Sequence, residues 1–195
     1  MRIVAGKYRR RKLRTNPGLV TRPITDRAKE FLFENLGGEL PAIRVADVFA
    51  GTGTLGIEAL SRGAASVVFV ESDRKAHGLL DENVRMLGIG DEALCWRVDV
   101  LRCSFRPKGV EHLLPYDLVF FDPPYRMVAD IAPGSPLFKS LERLAREGVT
   151  SPDAEMILRT PVRAEFECPP AWTRHDVLTI SNMEMHRFRK LKTES

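Results

Sequence analysis

The sequence has few cysteines and no long apolar run. Cys95, Cys103 and Cys168 are odd in number and no pair has the CxxC spacing, so neither a disulfide framework nor a zinc knuckle is indicated. The four histidines are scattered and suggest no metal site. No stretch approaches the roughly 18 apolar residues of a membrane helix, and the first residues lack the apolar segment of a secretory signal. These absences predict a cytoplasmic protein of a reducing compartment that does not associate with membranes.

The composition is that of an ordinary globular protein. The chain has 195 residues, of which 44% are hydrophobic and 29% are charged. A chain of this length can bury a core without disulfides or metal ions, and the apolar fraction excludes global disorder. We therefore expect one folded domain, with a boundary only near residue 20.

Positive charge is concentrated at the N-terminus. Residues 1–29 contain ten lysines and arginines and one acidic residue, whereas the rest of the chain contains 20 basic and 25 acidic residues. Clustered cations release counterions from phosphates, so they indicate a polyanionic partner. A basic face that is merely solvated is the alternative. We predict a basic N-terminal arm over residues 1–20 and a main domain over residues 21–195.

Apolar segments of strand length alternate with helical segments after the arm. Helices are predicted to begin after the capping residues Thr25, Asp73 and Ser135, and another follows a glycine-rich turn near residue 51. Strands are predicted over residues 44–49, 66–71, 93–98, 116–121 and 154–158, with two more in the tail that turn near residues 181–182. This alternation predicts an α/β fold with a mostly parallel sheet, which binds ligands beyond the carboxyl ends of its strands.

A glycine-rich turn follows the first predicted strand, in the segment Asp47–Gly56. Its glycines allow the backbone to approach an adenosine-type ligand closely, and we assign Asp47, Ala50, Gly51 and Gly53 to cofactor binding. The same segment satisfies the dinucleotide pattern GxGxxG, which alone is a weak signal. A tight turn without a ligand and a nicotinamide-dependent dehydrogenase therefore remain alternatives at this point.

Two acidic residues follow the next two predicted strands. Glu71 lies at the end of the second strand, where a carboxylate can accept hydrogen bonds from both ribose hydroxyls of a nucleoside. Asp99 follows the third strand, where a carboxylate can accept from an adenine amino group. We assign both to cofactor binding, with a solvated strand end and a helix cap as the respective alternatives.

The segment Asp122-Pro123-Pro124-Tyr125 follows the apolar strand LVFF. Two prolines restrict the turn, so the Asp122 carboxylate and the Pro123 carbonyl are expected to converge on one point. Two acceptors there suit an exocyclic amino group on a planar base, and Tyr125 offers a ring on which that base can stack. We therefore assign Asp122, Pro123 and Tyr125 to catalysis.

These motifs together resemble a known family. Asp47–Gly56 with Glu71 is similar to the cofactor half of class I S-adenosylmethionine-dependent methyltransferases, and Asp122–Tyr125 resembles the DPPY/F motif of those that methylate exocyclic amino groups. Arg22–Glu30 (RPITDRAKE) resembles the RPTTDRVRE segment of the bacterial RsmD-type 16S rRNA (guanine-N2) methyltransferases. Residues 2–7 (RIVAGK) and 11–13 (RKL) resemble the arm of that family, and the likeness covers about residues 1–160.

The resemblance implies a Rossmann-like fold with a mostly parallel seven-stranded sheet, helices on both faces and a basic N-terminal β-hairpin. It implies S-adenosylmethionine as the cofactor, S-adenosylhomocysteine as its product, and direct in-line transfer to the 2-amino group of a guanine without a metal. The implied partner is ribosomal RNA in a partly assembled small subunit. A monomer is the default expectation, independent of the resemblance. The expected RNA contacts are Arg9, Arg10, Arg11, Lys12, Arg22 and Tyr125.

Three other functions remain open from the sequence. An adenine-N6 methyltransferase acting on DNA or RNA would share the DPPY motif. A non-catalytic rRNA-binding protein would explain the arm, and a dehydrogenase would explain the glycines. Because the cofactor residues begin near Asp47, we also expect deletion of residues 1–15 to leave cofactor binding intact.

Overall fold

The computed structural model describes residues 1–15 and 24–191. Within these ranges helices and strands alternate as the sequence predicts. The helices are α1 (Asp26–Asn35), α2 (Thr54–Ser61), α3 (Arg74–Met86), α4 (Tyr125–Val128) and α5 (Pro136–Leu144), with a 3₁₀ turn at Glu111–Leu113. The strands are β1 (Arg44–Val48), β2 (Ser66–Val70), β3 (Ala93–Trp96), β4 (Tyr116–Phe121), β5 (Thr150–Pro161), β6 (Trp172–Ile180) and β7 (Met183–Lys190).

The seven strands form one sheet in the order β3-β2-β1-β4-β5-β7-β6. The first five strands pair in parallel, and β7 lies antiparallel between β5 and β6. The order reverses between β1 and β4, because the chain first moves outward through β2 and β3 and then returns to the other side of β1. A sheet of this kind binds ligands beyond its carboxyl ends at such a reversal.

Both faces of the sheet are buried, which explains why its central strands are nearly continuous apolar runs. Side chains alternate in β2, where Val67 and Phe69 face the core that contains α1, α2 and α3. Val68 and Val70 face the opposite core, which contains α5 and parts of the segment 100–113. The predicted fold class, with a mostly parallel sheet and helices on both faces, is confirmed.

The predicted caps begin three of the helices. Thr25 Oγ1 accepts a hydrogen bond from the Ala28 amide, and Ser135 Oγ accepts one from the Phe138 amide. Asp73 accepts from two amides in the first turn of α3. These side chains satisfy N–H groups that have no partner within a helix, so the helices begin where the sequence predicts.

The described part of the N-terminal arm is a loop closed by one antiparallel bridge, between Arg2 and Lys12. The predicted N-terminal β-hairpin is thus limited to that one bridge in the described residues, because residues 5–10 form bends and turns. The apolar residues Ile3, Tyr8 and Leu13 are buried in the same core as α1, α2 and α3. The arm is therefore packed against the helices. The predicted boundary near residue 20 falls outside the described residues, so the division into two units stays a prediction.

The arm is anchored on a buried cluster of charged side chains. Lys29 Nζ donates to the Arg2 carbonyl at 2.6 Å and to Glu58 at 3.0 Å, and both side chains are fully buried. The Glu58 carboxylate also accepts from the amides of Val4 and Ala5, at 2.9 and 3.0 Å. A buried carboxylate with this many donors is fully compensated, so it fixes the path of the arm.

Some bounds differ from those predicted. β5 runs over Thr150–Pro161 and not 154–158, because its longer ends pair with β4 and β7. The short helix α4 and the 3₁₀ turn lie in segments for which neither a helix nor a strand is predicted, and β6 begins at Trp172. Among the helices of the described residues, none has the length and apolar character needed to cross a membrane.

Candidate active site

A cavity of about 460 Å³ opens beyond the carboxyl ends of β1, β2 and β4. Residues from the turns after these strands and after β3 line it, together with residues from the arm, from the segment just before α1 and from β5. It therefore lies where the strand order reverses. The lining residues include Met1, Thr15, Ile24, Asp47, Phe49, Ala50, Gly51, Thr52, Glu71, Asp73, Asp99, Asp122, Pro124, Arg126, Met127 and Arg159.

The three glycines of the turn after β1 have different roles. A Cβ added to Gly51 would meet nothing within 4 Å, so this backbone is open to the cavity. A Cβ on Gly53 would lie 2.4 Å from Leu80, and one on Gly56 would lie 2.3 Å from Phe69. Gly51 is thus the glycine that leaves room for a ligand. Gly53 and Gly56 are required by packing, and Gly53 is not among the cavity-lining residues.

The residues around Gly51 hold the turn in an unusual conformation. Phe49 has a positive φ of 63°, which is uncommon for a bulky residue, and its ring packs edge-on against Phe121 at 5.4 Å. The Ala50 amide donates to the Val70 carbonyl at 3.1 Å. Both lie in the cavity wall, so the strained turn is part of the site.

Glu71 follows β2 and joins two parts of the cavity wall. Its carboxylate accepts from the Gly51 amide and from the Asp73 amide, each at 2.8 Å. Burial raises the pKa of Glu71, and these backbone donors oppose that shift. A carboxylate has about four lone-pair positions, so capacity remains for ribose hydroxyls. The predicted position of Glu71 beside the glycine turn is observed.

Asp47 lies in β1 at the floor of the cavity and is buried. Its Oδ2 accepts from the Gly56 amide at 2.8 Å, which ties β1 to the first turn of α2. Burial raises the pKa of Asp47 to about 8; the Gly56 amide opposes the shift, while the charges of Asp122 and Glu71 add to it. The structure thus gives Asp47 a part in holding the turn, at the edge of the predicted cofactor site.

Asp99 lies in the turn after β3, at a more exposed edge of the cavity. Its Oδ1 accepts from the Leu101 amide at 2.9 Å, and its side chain is half exposed. The turn-capping alternative is therefore observed. The position in the cavity wall also remains compatible with contact to an adenine amino group.

Asp122 follows β4 and forms a buried ion pair with Arg159 of β5. The Arg159 Nε donates to Asp122 Oδ1 at 2.6 Å, and the two side chains are only 7% and 16% exposed. Burial raises the pKa of Asp122, and the Arg159 guanidinium opposes that effect. The guanidinium also lies 5.5 Å from the centre of the Tyr125 ring. Asp122, Arg159 and Tyr125 therefore form one cluster at the cavity.

The two other residues assigned to catalysis, Pro123 and Tyr125, do not line the cavity. Pro123 is buried. Tyr125 begins α4 and packs partly against the core of the α1–α3 face. Pro124, Arg126 and Met127 line the cavity in their place.

Arg159 was not predicted from the sequence. The predicted strand ended at Leu158, which pairs with Phe121. The next residue of β5 therefore lies beside the residue after Phe121, which is Asp122. An arginine directly after an apolar strand was the available signal, but its partner depends on a register that the sequence alone does not give.

The cavity is acidic in spite of the basic composition of the chain. Five carboxyl groups line it against two guanidinium groups: Asp47, Glu71, Asp73, Asp99 and Asp122 against Arg126 and Arg159. Such a lining favours a cationic ligand. The open backbone at Gly51, the carboxylate of Glu71 and the acidic lining together fit a nucleoside that carries a sulfonium charge.

A second cavity of about 500 Å³ lies between the arm and the first turns of α1, and we call it the basic cavity. Arg2, Ile3, Val4, Arg9, Arg10, Asp26, Arg27 and Glu30 line it. Of the predicted RNA contacts, Arg9 and Arg10 are brought together here. Arg11 and Lys12 are exposed elsewhere on the arm, and Arg22 lies outside the described residues.

The arm also forms part of the first cavity, because Met1 and Thr15 line it. The expectation that cofactor binding does not depend on residues 1–15 stays a prediction. The position of Met1 and Thr15 in the cavity wall results from the docking of the arm on α2 and α3. This docking places both ends of the described loop beside the glycine turn.

The fold and the cavity define a class I methyltransferase, whose cofactor is S-adenosylmethionine. The profile of the family described as conserved hypothetical protein 95 matches residues 1–188, so the chain belongs to this family. The predicted resemblance to RsmD-type enzymes is confirmed by relatives that carry the name ribosomal RNA small subunit methyltransferase D.

Two such relatives illustrate the likeness. The protein from Haemophilus influenzae is 32% identical over 178 residues, which cover 89% of this chain and 85% of the relative. The protein from Escherichia coli K12 is 40% identical over 129 residues, which cover 65% of this chain and 61% of the relative's length.

Solved structures agree with the fold. The Escherichia coli protein yhhF, described as a candidate methyltransferase, has a TM-score of 0.78 and 30% identity, with 99% of both chains covered. An RNA methyltransferase from Salinibacter ruber, solved with S-adenosyl-L-homocysteine, has a TM-score of 0.64 over 89% of this chain and 97% of its own. At 14% identity that likeness supports the fold alone.

Proposed function

We propose that this protein methylates the exocyclic 2-amino group of one guanine in small-subunit (16S) ribosomal RNA, by direct in-line transfer from S-adenosylmethionine. The observation that carries the proposal is the Asp122–Arg159 pair at the carboxyl end of β4, next to a cavity suited to the cofactor. The named relatives support ribosomal RNA as the substrate. We further propose that the enzyme acts as a monomer on a partly assembled subunit.

The residues of the glycine turn and of β2 would hold the cofactor. The Gly51 backbone leaves room for the nucleoside, and Glu71 offers acceptors to its ribose. Asp99, at the outer edge of the cavity, would accept a hydrogen bond from the adenine amino group. When bound, S-adenosylmethionine supplies an electrophilic methyl group on a sulfonium that is already a good leaving group. The protein therefore has mainly to position the acceptor amine and to polarise it.

Asp122 would bind that amine. Its carboxylate can accept an N–H from the 2-amino group, which orients the nitrogen lone pair toward the cofactor side of the cavity. The proton that the nitrogen loses on methylation can pass to this carboxylate. The Arg159 guanidinium opposes the effect of burial on the pKa of Asp122, and it thereby favours the ionised form that accepts hydrogen bonds. Pro124, Arg126 and Met127 enclose the same region, and the Pro123 carbonyl is the second acceptor that we propose. The target base has to leave its stack to reach this depth.

A substitution at Asp122 tests this assignment. Asp122→Ala should reduce methyl transfer by about 10²–10³-fold, by analogy with removal of one preorganised polar group at a centre where charge develops. Calorimetry with S-adenosylhomocysteine should show a much smaller change in cofactor affinity. If cofactor affinity and turnover fell together, Asp122 would be a cofactor residue and the proposal would be wrong.

The basic cavity would bind the RNA backbone. Its arginines are presented by a turn that α2 holds in place: the amides of Lys7 and Tyr8 donate to Ser61 at 2.7 and 2.9 Å. Arg10 has a positive φ of 68° within this turn. Arg9 and Arg10 are thus fixed at the edge of a concave surface that Arg27 extends onto α1. Cations in such a surface suit consecutive phosphates of one strand.

The salt dependence of RNA binding tests this surface. Replacing Arg9 and Arg10 together with alanine should reduce the log–log salt slope by about 1.4–1.8, since each phosphate contact contributes about 0.7–0.9. Lys108 and Lys139 are exposed cations away from the arm, so their double alanine variant is a matched control. Equal slopes for the arm variant and the wild type would remove the arm from the RNA surface.

A further inference from the structure

One buried amide joins the arm to the glycine turn. Asn83 lies in α3 and is fully buried. Its Oδ1 accepts from the Arg14 amide at 2.7 Å, and its Nδ2 donates to the Arg14 carbonyl and to the Thr52 carbonyl, each at 3.0 Å. The side chain thus bonds to both the N–H and the C=O group of Arg14 in the arm. It also bonds to the carbonyl of Thr52, the residue that follows Gly51.

The two segments that Asn83 joins both form the wall of the cofactor cavity. Thr52 lines the cavity directly, and Arg14 precedes Thr15, which also lines it. Three hydrogen bonds of a fully buried amide define one relative position of the two segments, because each bond left unmade would cost the desolvation of its groups. A shift of the glycine turn therefore has to be accompanied by a shift at the end of the arm.

The end of the arm is connected in turn to the basic cavity. The Leu13 amide donates to the Met1 carbonyl at 2.9 Å, beside the bridge that pairs Lys12 with Arg2. Met1 lines the cofactor cavity, whereas the next residue, Arg2, lines the basic cavity. A short chain of hydrogen bonds therefore runs from the glycine turn through Asn83 and Leu13 to the start of the basic cavity.

We propose that Asn83 is a positioning residue that couples the two cavities, so that cofactor and RNA each raise the affinity of the protein for the other. The inference rests on the proposed function, because it takes the arm as the RNA-binding surface. A ligand that fixes the position of Thr52 also fixes the positions of Arg14 and Thr15, so the end of the arm is already held in one place when RNA binds. Linkage requires the effect to be equal in both directions.

The alternative is that Asn83 only stabilises the fold. In that case its loss lowers the free energy of unfolding, and the affinity for one ligand does not depend on the other. The neighbouring residue offers a matched control: Glu82 forms an ion pair with the Arg14 side chain at 2.9 Å, and the side chains of Glu82 and Arg14 are 45% and 64% exposed. Glu82→Gln removes that pair and leaves the three Asn83 hydrogen bonds in place.

The test is calorimetry of S-adenosylhomocysteine binding, with and without a small-subunit rRNA transcript, on the full chain. Wild type and Glu82→Gln should bind S-adenosylhomocysteine about 5- to 20-fold more tightly when RNA is present, within the usual range of coupling between sites. Asn83→Ala should bind both ligands, but its affinity for S-adenosylhomocysteine should be nearly the same with and without RNA. The proposal would be overturned if RNA did not change the affinity of the wild type, or if RNA changed the affinity of Asn83→Ala as much as that of the wild type.

Hydrogen exchange on the wild type keeps the inference testable if Asn83→Ala does not fold. Addition of S-adenosylhomocysteine should slow exchange in residues 1–15, including the Arg14 amide, as well as in residues 50–56. Protection confined to residues 50–56 would overturn the coupling. This measurement needs no RNA, so it remains decisive even if the transcript does not bind, an outcome that would count against the proposed function instead.

Discussion

Replacing Arg159 with methionine tests the electrostatic role of the Asp122–Arg159 pair. The substitution keeps a long apolar side chain but removes the charge that lies 2.6 Å from Asp122 Oδ1. Both side chains are more than four-fifths buried, so the loss leaves a carboxylate without compensation, at a cost of about 3–5 kcal/mol. The carboxyl can avoid this cost by binding a proton, and its pKa therefore rises further above its ordinary value.

The expected consequence is a change in the pH dependence of methyl transfer. Only the ionised Asp122 carboxylate offers its full acceptor capacity to the amine, so Arg159→Met should lose activity at neutral pH and recover part of it as the pH rises. Because the folded carboxyl then binds its proton more strongly than the unfolded one, the stability of the variant should also fall as the pH rises above the ordinary pKa of aspartate.

The assay is the initial rate of methyl transfer against pH, at saturating S-adenosylmethionine, on small subunits from cells without the gene. Arg159→Lys is the matched control, because it keeps the positive charge and should keep the acid limb of the profile closer to that of the wild type. S-adenosylhomocysteine affinity should change little in either variant. An acid limb of Arg159→Met that coincides with the wild-type limb would refute the reasoning.

Three further predictions follow from individual contacts. Glu71→Gln should weaken S-adenosylhomocysteine binding about ten- to hundred-fold, because charge-assisted hydrogen bonds are lost; unchanged affinity in calorimetry would contradict its role. Asp47 has a pKa of about 8, above its unfolded value, so the wild-type protein should lose stability as the pH rises toward 8. In denaturant unfolding, the free energy of unfolding of Asp47→Asn relative to that of the wild type should therefore be larger at pH 8 than near pH 5. The same difference in free energy at both pH values would contradict the raised pKa of Asp47. Gly6→Ala should lower Tm by at least a few degrees, since a Cβ there would lie 1.7 Å from the Ser61 carbonyl oxygen and φ is 78°; an unchanged Tm would mean that the arm is not docked as described.

The sequence was sufficient to predict the sheet and the strand ends that form the site. Apolar runs such as SVVFV and YDLVFF specify buried strands whatever their neighbours are, and the carboxyl ends of parallel strands necessarily meet at one edge. The positions of Glu71 and Asp122 follow from that rule alone. Arg159 does not, because it depends on the register between two strands that are separated by 28 residues of sequence.

The packing of the arm could not be predicted from its charges. Its basic residues are conspicuous in sequence, but its docking depends on Ile3, Tyr8 and Leu13 and on the buried Lys29–Glu58 pair. Nothing in the sequence distinguishes Lys29 or Glu58 from a charged residue that is exposed to solvent. The same limit applies to the glycine motif: which of its glycines faces a ligand depends on the side chains packed behind it.

The identity of the methylated nucleoside tests the central claim most directly. Small ribosomal subunits from cells lacking the gene would be incubated with the purified protein and methyl-labelled S-adenosylmethionine, and their rRNA would then be digested and analysed by mass spectrometry. We expect one labelled nucleoside per subunit, N2-methylguanosine, at a position that is unmodified in those cells and modified in the parent cells. Label in N6-methyladenosine would show that the enzyme methylates adenine and not guanine. If the protein bound the RNA but no label was found, it would be an RNA-binding protein without this activity.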